Sequence, residues 1–316
     1  MLTIATLFWG MGFAWAKNVG EAANNSAGVP QGSSLGPMLM LAIRFLAAAV
    51  LWAAVFPQSL RGWTWPSVRR GLLIGITMCA GVVPQHLGLD QSSEAVTAFL
   101  TNLTVVFVPL MVAIITFRLP TRRMFVACAV AFSGIYLLTG AKPTGLSAGE
   151  VLGVVCAVAF AIEVLLLNWL MPKDSIPRMT LMMFGVCAIV CAIVAVMSPG
   201  FGRIEMTRLA TAPVIAQIAL LTVLTTAVSF GLMTAFQPKV DPTRAAIIYL
   251  FEPVFASAFA WITEPDAAMS RLSIFGAGLI VLANIIIEIK LPVKSAAQPR
   301  DASRDSAGAV DTNGDA

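Results

Sequence analysis

The run VLGVVCAVAFAIEVLLLNWLM at residues 151–171 decides the fold class, because its only ionisable side chain besides a cysteine is Glu163. A helix of about 20 apolar residues crosses the hydrocarbon core of a bilayer, which is about 30 Å thick. Similar runs fill the chain, at residues 2–16, 37–56, 71–89, 95–117, 124–140, 151–171, 179–197, 213–236, 245–263 and 272–289. The sequence therefore predicts an all-α polytopic membrane protein with ten transmembrane helices, since a barrel would show short alternating segments instead.

Composition and charge agree with this class and predict an orientation. Of 316 residues, 58% are hydrophobic and 11% are charged, whereas soluble proteins carry about 25% charged residues. Fourteen Lys and Arg residues fall at one set of span ends and the tail, and five fall at the other set. Basic residues stay on the cytoplasmic side, so we expect a multi-pass protein of the inner (plasma) membrane with both termini in the cytoplasm. The net charge of +4 follows from this asymmetry, and nucleic acid is not an expected partner.

The connections and the cysteines suggest little chemistry outside the spans. Residues 18–36 are rich in Asn, Gly and Ser, which predicts a long outer loop. Residues 291–316 contain no apolar run from position 295 onward and are expected to be a disordered cytoplasmic tail. All five cysteines lie inside predicted spans, where neither disulfides nor a zinc site has the usual spacing. We expect no metal and no cofactor.

The two halves of the chain repeat. A shift of 144 residues aligns Phe107 with Phe251, Pro109 with Pro253, Gly134 with Gly278 and Leu138 with Leu282. The predicted units are residues 1–140 and 148–290, with five spans each. An odd number of spans turns the second unit upside down, and inverted repeats are typical of transporters that open a central site to each side in turn. Pro109 and Pro253 each remove a helix hydrogen bond, so they are either moving hinges or fixed kinks.

Several short motifs add a family resemblance. They are Trp9-Gly10, Arg44-Phe45-Leu46, the segment 87–109, Glu252-Pro253-Val254 with Trp261 and Glu264, and Gly276 with Gly278. In this order and spacing, residues 1 to about 290 resemble the EamA-like branch of the drug/metabolite transporter superfamily. The resemblance implies ten helices in two inverted repeats that move small metabolites or drugs across the inner membrane. One departure is Leu119, where the family often has an acid, whereas the corresponding Glu264 is present.

Ionisable residues inside the spans are the main candidates for a site, because each is unfavourable in hydrocarbon by roughly 2.5–3.5 kcal/mol. Glu163 lies midway along its span, which favours either proton-coupled transport or a neutral, hydrogen-bonded acid. The resemblance implies that an acid is common at the position of Glu252, which favours a role in gating or folding over contact with one particular substrate. Arg44 either pairs with an acid or binds a substrate carboxylate. His86, the single histidine, is either a titrating group or a structural one.

Uncharged polar and aromatic residues complete the predicted cavity. Thr97 and Thr101 on the fourth span, and Thr225 and Ser229 on the eighth, lie on helical stripes of hydroxyls. Such stripes either line a wet path or bond back to their own helix. The remaining candidates are Asn102, Tyr249 and Trp9, and we expect the first, third, fourth, sixth, eighth and ninth spans to surround the cavity. The fifth and tenth spans carry small residues that suit close helix contact.

The inverted repeat thus predicts a secondary transporter that works by alternating access. The family resemblance implies a cargo of amino acids, related metabolites or amphipathic drugs, with export favoured. Its expected partners are a small-molecule substrate and the lipid bilayer, and it is compatible with a homodimer. No ATP-binding loop is present in the sequence. An integral membrane enzyme acting on lipid or prenyl substrates is the alternative, although its usual carboxylate cluster is missing from the sequence.

Overall fold

The computed structural model describes residues 1–91, 94–140, 147–263 and 270–288, and the regular structure within them is helical. The α-helices are α1 Leu2–Ala27, α2 Leu35–Val55, α3 Trp65–Gln91, α4 Glu94–Thr101, α5 Thr104–Thr116, α6 Arg122–Thr139, α7 Ala148–Leu170, α8 Ile176–Met197, α9 Met206–Leu209, α10 Ala212–Leu220, α11 Ser229–Phe236, α12 Pro242–Tyr249, α13 Phe251–Thr263 and α14 Arg271–Glu288. A π-helical segment, Leu221–Val228, joins α10 to α11. The expected tail at 291–316 and Glu264 lie outside the described residues.

Eight helical stretches of the described chain are long and apolar enough to cross a membrane. They are α2, α3, the α4–α5 pair, α6, α7, α8, the α10–α11 unit and the α12–α13 pair. The first predicted span lies in α1, which continues beyond it through a polar stretch, and the apolar part of the tenth, Arg271–Ile287, is shorter than these eight. The all-α polytopic class is confirmed, and the number ten remains a prediction.

The expected loop at residues 18–36 is wrong over its first half, because α1 continues to Ala27. Val19 and Ala23 lie one turn apart and are buried, so the polar composition hides an inward-facing stripe. Asn24 is also buried, and its side chain accepts from the Gly36 N–H at 2.7 Å and donates to the Ser33 carbonyl at 3.2 Å. These hydrogen bonds tie the end of α1 to the start of α2.

The fourth, eighth and ninth predicted spans are not regular α-helices. The fourth is interrupted at Asn102 and Leu103, and the ninth is interrupted at Leu250. Neither break is at Pro109 or Pro253. Pro109 lies inside α5, and Pro253 is the third residue of α13, where a helix has no use for the missing N–H. A hinge role for Pro109 and Pro253 remains a prediction.

Long contacts between pairs of helices hold the bundle together. The most extensive contacts join α3 to α7, α6 to α14, and α2 to α8, while α1 lies against α13 and against the unit formed by α10 and α11. Small residues permit the α6–α14 contact, since Ala127, Ala131 and Gly134 on α6 are buried. The outer surface carries large apolar side chains such as Ile76 and Ile189, as expected for helices that face lipid.

Asp174, in the connection between α7 and α8, links that connection to α3 and to the start of α8. Its carboxylate accepts from the Ser67 hydroxyl and from the Ser175 N–H, and it pairs with Arg70 at 3.3 Å and Arg178 at 3.0 Å. Burial alone would raise the pKa of this carboxyl, but the hydrogen bonds and the two guanidinium groups outweigh burial and lower the pKa below 3.8.

We expect Asp174→Asn to destabilise the folded protein by about 1.5–3 kcal/mol at pH 7, the usual range for hydrogen bonds to a charged group. Because the folded-state pKa is depressed, this contribution is complete above pH 3.8 and is lost as the pH falls through the folded value. Denaturant or thermal unfolding in detergent measures it. Asp241→Asn is the matched control, since Asp241 caps α12 and Asn caps helices equally well. Equal stability of both variants would contradict the role of Asp174.

Candidate functional site

A cavity of about 120 Å³ lies at the centre of the bundle. From the first half of the chain it is lined by Trp9, Gly12, Phe13 and Ala16 of α1, Arg44 of α2, Val82, Gln85 and His86 of α3, and Thr101, Asn102 and Thr104 at the break between α4 and α5. From the second half it is lined by Phe160, Glu163, Val164 and Leu167 of α7, by Thr225, Phe230, Met233 and Gln237 in and just after the eighth predicted span, and by Ala246, Tyr249 and Glu252 of the ninth. The six expected spans all contribute, and the second span adds Arg44. Helices from both halves of the chain therefore enclose one chamber.

Nine of the eleven residues that the sequence singled out for the site lie on this cavity. They are Trp9, Arg44, His86, Thr101, Asn102, Glu163, Thr225, Tyr249 and Glu252. Thr97 and Ser229 are not among the lining residues. Thr97 is buried and donates to the Gly88 carbonyl at 3.4 Å, and Ser229 donates to the Leu224 carbonyl at 2.8 Å.

The acid of α7 lies deep in the chamber. Glu163 is 3% exposed, and its Oε1 has no hydrogen-bond partner among the described residues. A polar network lies next to it: the Tyr249 hydroxyl donates to Gln237 at 2.8 Å, and the Gln237 amide donates to the Val164 carbonyl and to Asn168. Glu163 therefore has one carboxyl oxygen without a partner in the described chain, whereas the neighbouring Tyr249 and Gln237 side chains form hydrogen bonds.

Trp9 forms the aromatic wall of the cavity. Its ring centroid is 5.1 Å from that of Phe230 and 5.6 Å from that of Tyr249. Its indole N–H donates at 3.1 Å to the Thr225 carbonyl, in the π-helical segment where the regular α-helical hydrogen bonds are interrupted. This bond explains how a polar ring atom is accommodated in the bundle. It also fixes the ring beside the rings of Phe230 and Tyr249.

Two of the three hydroxyls of the π-helical segment bond back to their own helix, and the third, on Thr222, has no partner among the described residues. Thr225 and Thr226 both donate to the Leu221 carbonyl, at 2.6 and 2.8 Å. At the fourth-span break, Asn102 donates to the Ala98 carbonyl at 2.7 Å, and Thr104 reaches the Ala157 carbonyl of α7 at 3.1 Å. Hydroxyls and amides therefore satisfy the backbone groups that an irregular helix leaves free inside a membrane.

Arg44 and His86 form the cationic part of the lining. Arg44 is 6% exposed, and its Nε has no hydrogen-bond partner among the described residues. Its guanidinium carbon lies 5.2 Å from the Phe45 ring centroid, and it lines the same cavity as His86. His86 Nδ1 lies 2.9 Å from the Val82 carbonyl. That contact makes Nδ1 the protonated nitrogen and leaves Nε2 for another partner.

A second cavity of about 160 Å³ adjoins the first. It lies between the C-terminal part of α1, the start of α2 and the end of α3, and its lining includes Lys17, Glu21 and Asn24. Ala16 and His86 line both cavities. These two residues therefore lie at the boundary between the central chamber and a polar chamber at one end of the bundle.

The sequence did not identify several lining residues. Phe13, Phe160 and Met233 are apolar residues in apolar runs, so nothing in the pattern distinguishes a cavity wall from a lipid contact. Gln237 follows the eighth span and resembles an ordinary loop residue, yet it is fully buried and central to the polar network. A glutamine directly after the last residue of a membrane helix was the available signal.

The cysteines do not form a metal site in the described part of the chain, where no group of three or more His, Cys, Asp or Glu side chains could hold an ion. All five are free thiols. Cys79 of α3 and Cys187 of α8 have their sulfur atoms 3.2 Å apart in the buried core. They contact each other across the α3–α8 helix pair.

Comparison with known proteins agrees with the family motifs. A sequence profile of the EamA-like transporter family matches residues 147–289. An uncharacterized transporter of Archaeoglobus fulgidus is 25% identical over 290 residues, which cover 92% of this chain and 85% of that protein. A protein of known crystal structure superposes with a TM-score of 0.64 at 16% identity, over 90% of this chain and 96% of the other, and so shares the fold. Residues 147–289 thus match the EamA-like transporter family, and the resemblance of the chain to this branch of the drug/metabolite transporter superfamily is confirmed.

Proposed function

We propose that this protein is a secondary transporter of the inner membrane that exports small metabolites, such as amino acids or related compounds, or amphipathic drugs. The observation that carries the proposal is the central chamber, which combines unpaired ionisable groups with aromatic walls inside a bundle of apolar helices. An isolated charge in hydrocarbon is unfavourable and is usually retained for a function. The family match and the transporter relative favour transport over the lipid-modifying enzyme.

Alternating access requires parts of the bundle that can rearrange, and the irregular helices supply candidates. Both interrupted spans and the π-helical segment reach the chamber, through Thr101, Asn102, Thr225 and Tyr249. Discontinuous helices at the centre of the membrane are a recurrent feature of transporter sites, where the freed backbone groups face solute or solvent. We infer that these segments move when the chamber changes the side to which it opens.

The helix contacts support an inverted repeat in which α1–α6 correspond to α7–α14. Under that exchange, α2 pairs with α8 and α6 pairs with α14, and both are extensive contacts. The contact of α3 with α7 corresponds to that of the α10–α11 unit with α1, which is also present. The contact of α7 with α4 and α5 likewise corresponds to that of α1 with α12 and α13. With both termini in the cytoplasm, the second cavity would lie on the outer side.

We propose that Glu163 carries the coupling proton. A carboxyl that is 3% exposed, with one oxygen lacking a partner, is poorly stabilised as an anion. Proton binding from one side and release to the other would drive the solute against its gradient. Glu252 lies on the same chamber and is the second candidate for this proton.

Flux measurements on purified protein in liposomes test the proposal. Labelled amino acids and cationic dyes are presented with and without a pH gradient, beside protein-free liposomes. We expect at least one compound to cross faster with protein and to accumulate when the gradient is imposed. Flux equal to that of protein-free liposomes for the whole panel, together with metal-dependent turnover of lipid, would contradict transport and support the enzyme.

A further inference from the structure

Arg44 is a buried cation whose charge is not balanced within the described protein. Its side chain projects from the middle of α2 to the central chamber, where it is 94% buried. None of the ion pairs shown for the described residues involves Arg44, since Arg70 and Arg178 pair with Asp174, and Arg208 pairs with Glu205. Burial of an unpaired charge is unfavourable. An arginine remains protonated at all physiological pH values, so Arg44 cannot become neutral by losing its proton.

The acids of the same chamber do not neutralise Arg44. Glu163 and Glu252 line the chamber, yet neither carboxylate lies within the 4.0 Å of the guanidinium that an ion pair requires. The Nε of Arg44 and the Oε1 of Glu163 are both buried without a hydrogen-bond partner in the described chain. A buried charge that lacks its partner is destabilising by several kcal/mol. The arrangement therefore fits a site that is completed by a ligand.

We propose that Arg44 binds the carboxylate of an organic acid with an apolar body, a proposal that rests on the central chamber being the transport site. The planar guanidinium fork matches the two oxygens of a carboxylate. A phosphate carries up to two charges, whereas Arg44 is the only Lys or Arg among the lining residues of the described chamber. The rings of Trp9, Phe160 and Phe230 supply an aromatic surface for the body of the ligand.

His86 borders this subsite. Its Nδ1 donates to the Val82 carbonyl, and its ring lines the chamber that Arg44 also lines. With the proton on Nδ1, the neutral ring presents the lone pair of Nε2, which accepts a hydrogen bond, so the carboxylate is left to Arg44. Since His86 also borders the second cavity, the anion site lies at the boundary between the two chambers.

Binding of a matched pair of ligands to purified full-length protein tests the proposal. The probes are 3-phenylpropanoate and 3-phenylpropanamide, which differ in charge at one group, and calorimetry reads their affinities. We expect the acid to bind the unaltered protein about 10- to 100-fold more tightly than the amide, as a bidentate charge-assisted contact predicts. Equal affinity of the two would overturn the proposal without any variant being needed.

Variants then locate the effect. In Arg44→Gln the preference for the acid is expected to disappear, while Arg44→Lys keeps part of it, because charge remains but the fork is lost. Arg208→Gln is the matched control, since Arg208 is 63% exposed and pairs with Glu205. An unchanged preference in folded Arg44→Gln would contradict the assignment.

Flux separates this proposal from the transport function on which it rests. If liposomes transport dyes or amines and the protein shows no preference for the acid, the transporter stands and the Arg44 site is wrong. If binding depends on Arg44 but no panel compound crosses, the anion site stands and transport is wrong.

Discussion

Replacement of Glu163 by Gln is expected to abolish proton-driven accumulation while leaving exchange of solute across the membrane. Gln keeps the size of the side chain but cannot carry a proton, so the gradient no longer acts on the solute. Coupling between two ligands is commonly worth about 5- to 150-fold, and we expect a loss of this size in the accumulation ratio. Uptake into liposomes with an imposed pH gradient, compared with counterflow at equal pH, measures the two properties separately.

The rate of Glu163→Gln should also become insensitive to pH over the range in which the unaltered protein responds. Glu205→Gln is the matched control, because Glu205 has a side chain that is 53% exposed and pairs with Arg208. It is expected to behave as the unaltered protein does. Full gradient-driven accumulation by Glu163→Gln would exclude Glu163 as the coupling acid and would direct the same experiment to Glu252.

Gly276→Ala is expected to reduce stability strongly, whereas Gly278→Ala is not. A Cβ at Gly276 would lie 2.4 Å from the Leu138 backbone nitrogen and 2.6 Å from the Gly134 carbonyl oxygen, so α6 and α14 would have to separate. Overpacking of this kind costs about 1–3 kcal/mol and occasionally more. At Gly278 a Cβ meets no atom within 4 Å.

Unfolding of the two alanine variants in detergent measures the difference. Both variants gain the same helix propensity of about 1 kcal/mol, so the comparison isolates the backbone contact. We expect the midpoint of Gly276→Ala to fall and that of Gly278→Ala to stay or rise. A fall of equal size in both would contradict the account of the α6–α14 contact.

The alignment of the two halves matches residue types, but it does not identify which glycines lie at the α6–α14 contact. It pairs Gly134 with Gly278. In the bundle, however, Gly134 lies against Gly276, while Gly278 has open space beside it. Matching residue types in two similar helices does not fix which glycine lies at the helix crossing. The expectation of close contact was therefore right for Gly276 and wrong for Gly278.

Helix positions were predictable because hydrocarbon imposes long apolar runs, but interruptions inside those runs were not. The breaks at Asn102–Leu103 and Leu250 lie in segments that remain apolar, and neither Pro109 nor Pro253 marks a break. The polar end of α1 was taken for a loop, since composition does not reveal that Asn24 is buried against the start of α2.

The chamber was predictable in its charged residues and not in its apolar ones. Glu163, Arg44 and His86 are rare types at membrane depth, so each indicated an interior position. Hydroxyl stripes were a weaker guide: Thr97 and Ser229 bond to backbone carbonyls away from the lining, although Thr101 and Thr225 do reach the chamber. Helical periodicity gives the direction of a side chain, but it does not show whether a cavity or a backbone carbonyl lies in that direction.

Accessibility of a cysteine at position 102 from each side of the membrane tests the central claim most directly. Asn102→Cys is introduced after the five native cysteines are replaced, and sealed vesicles are treated with a membrane-impermeant thiol reagent from inside or outside. Leu119→Cys, at a position that is 90% exposed at a helix end, is the control expected to react from one side. The account predicts that position 102 reacts from both sides and that transported solute protects it. Reaction from one side only, under every gradient and solute condition, would contradict alternating access.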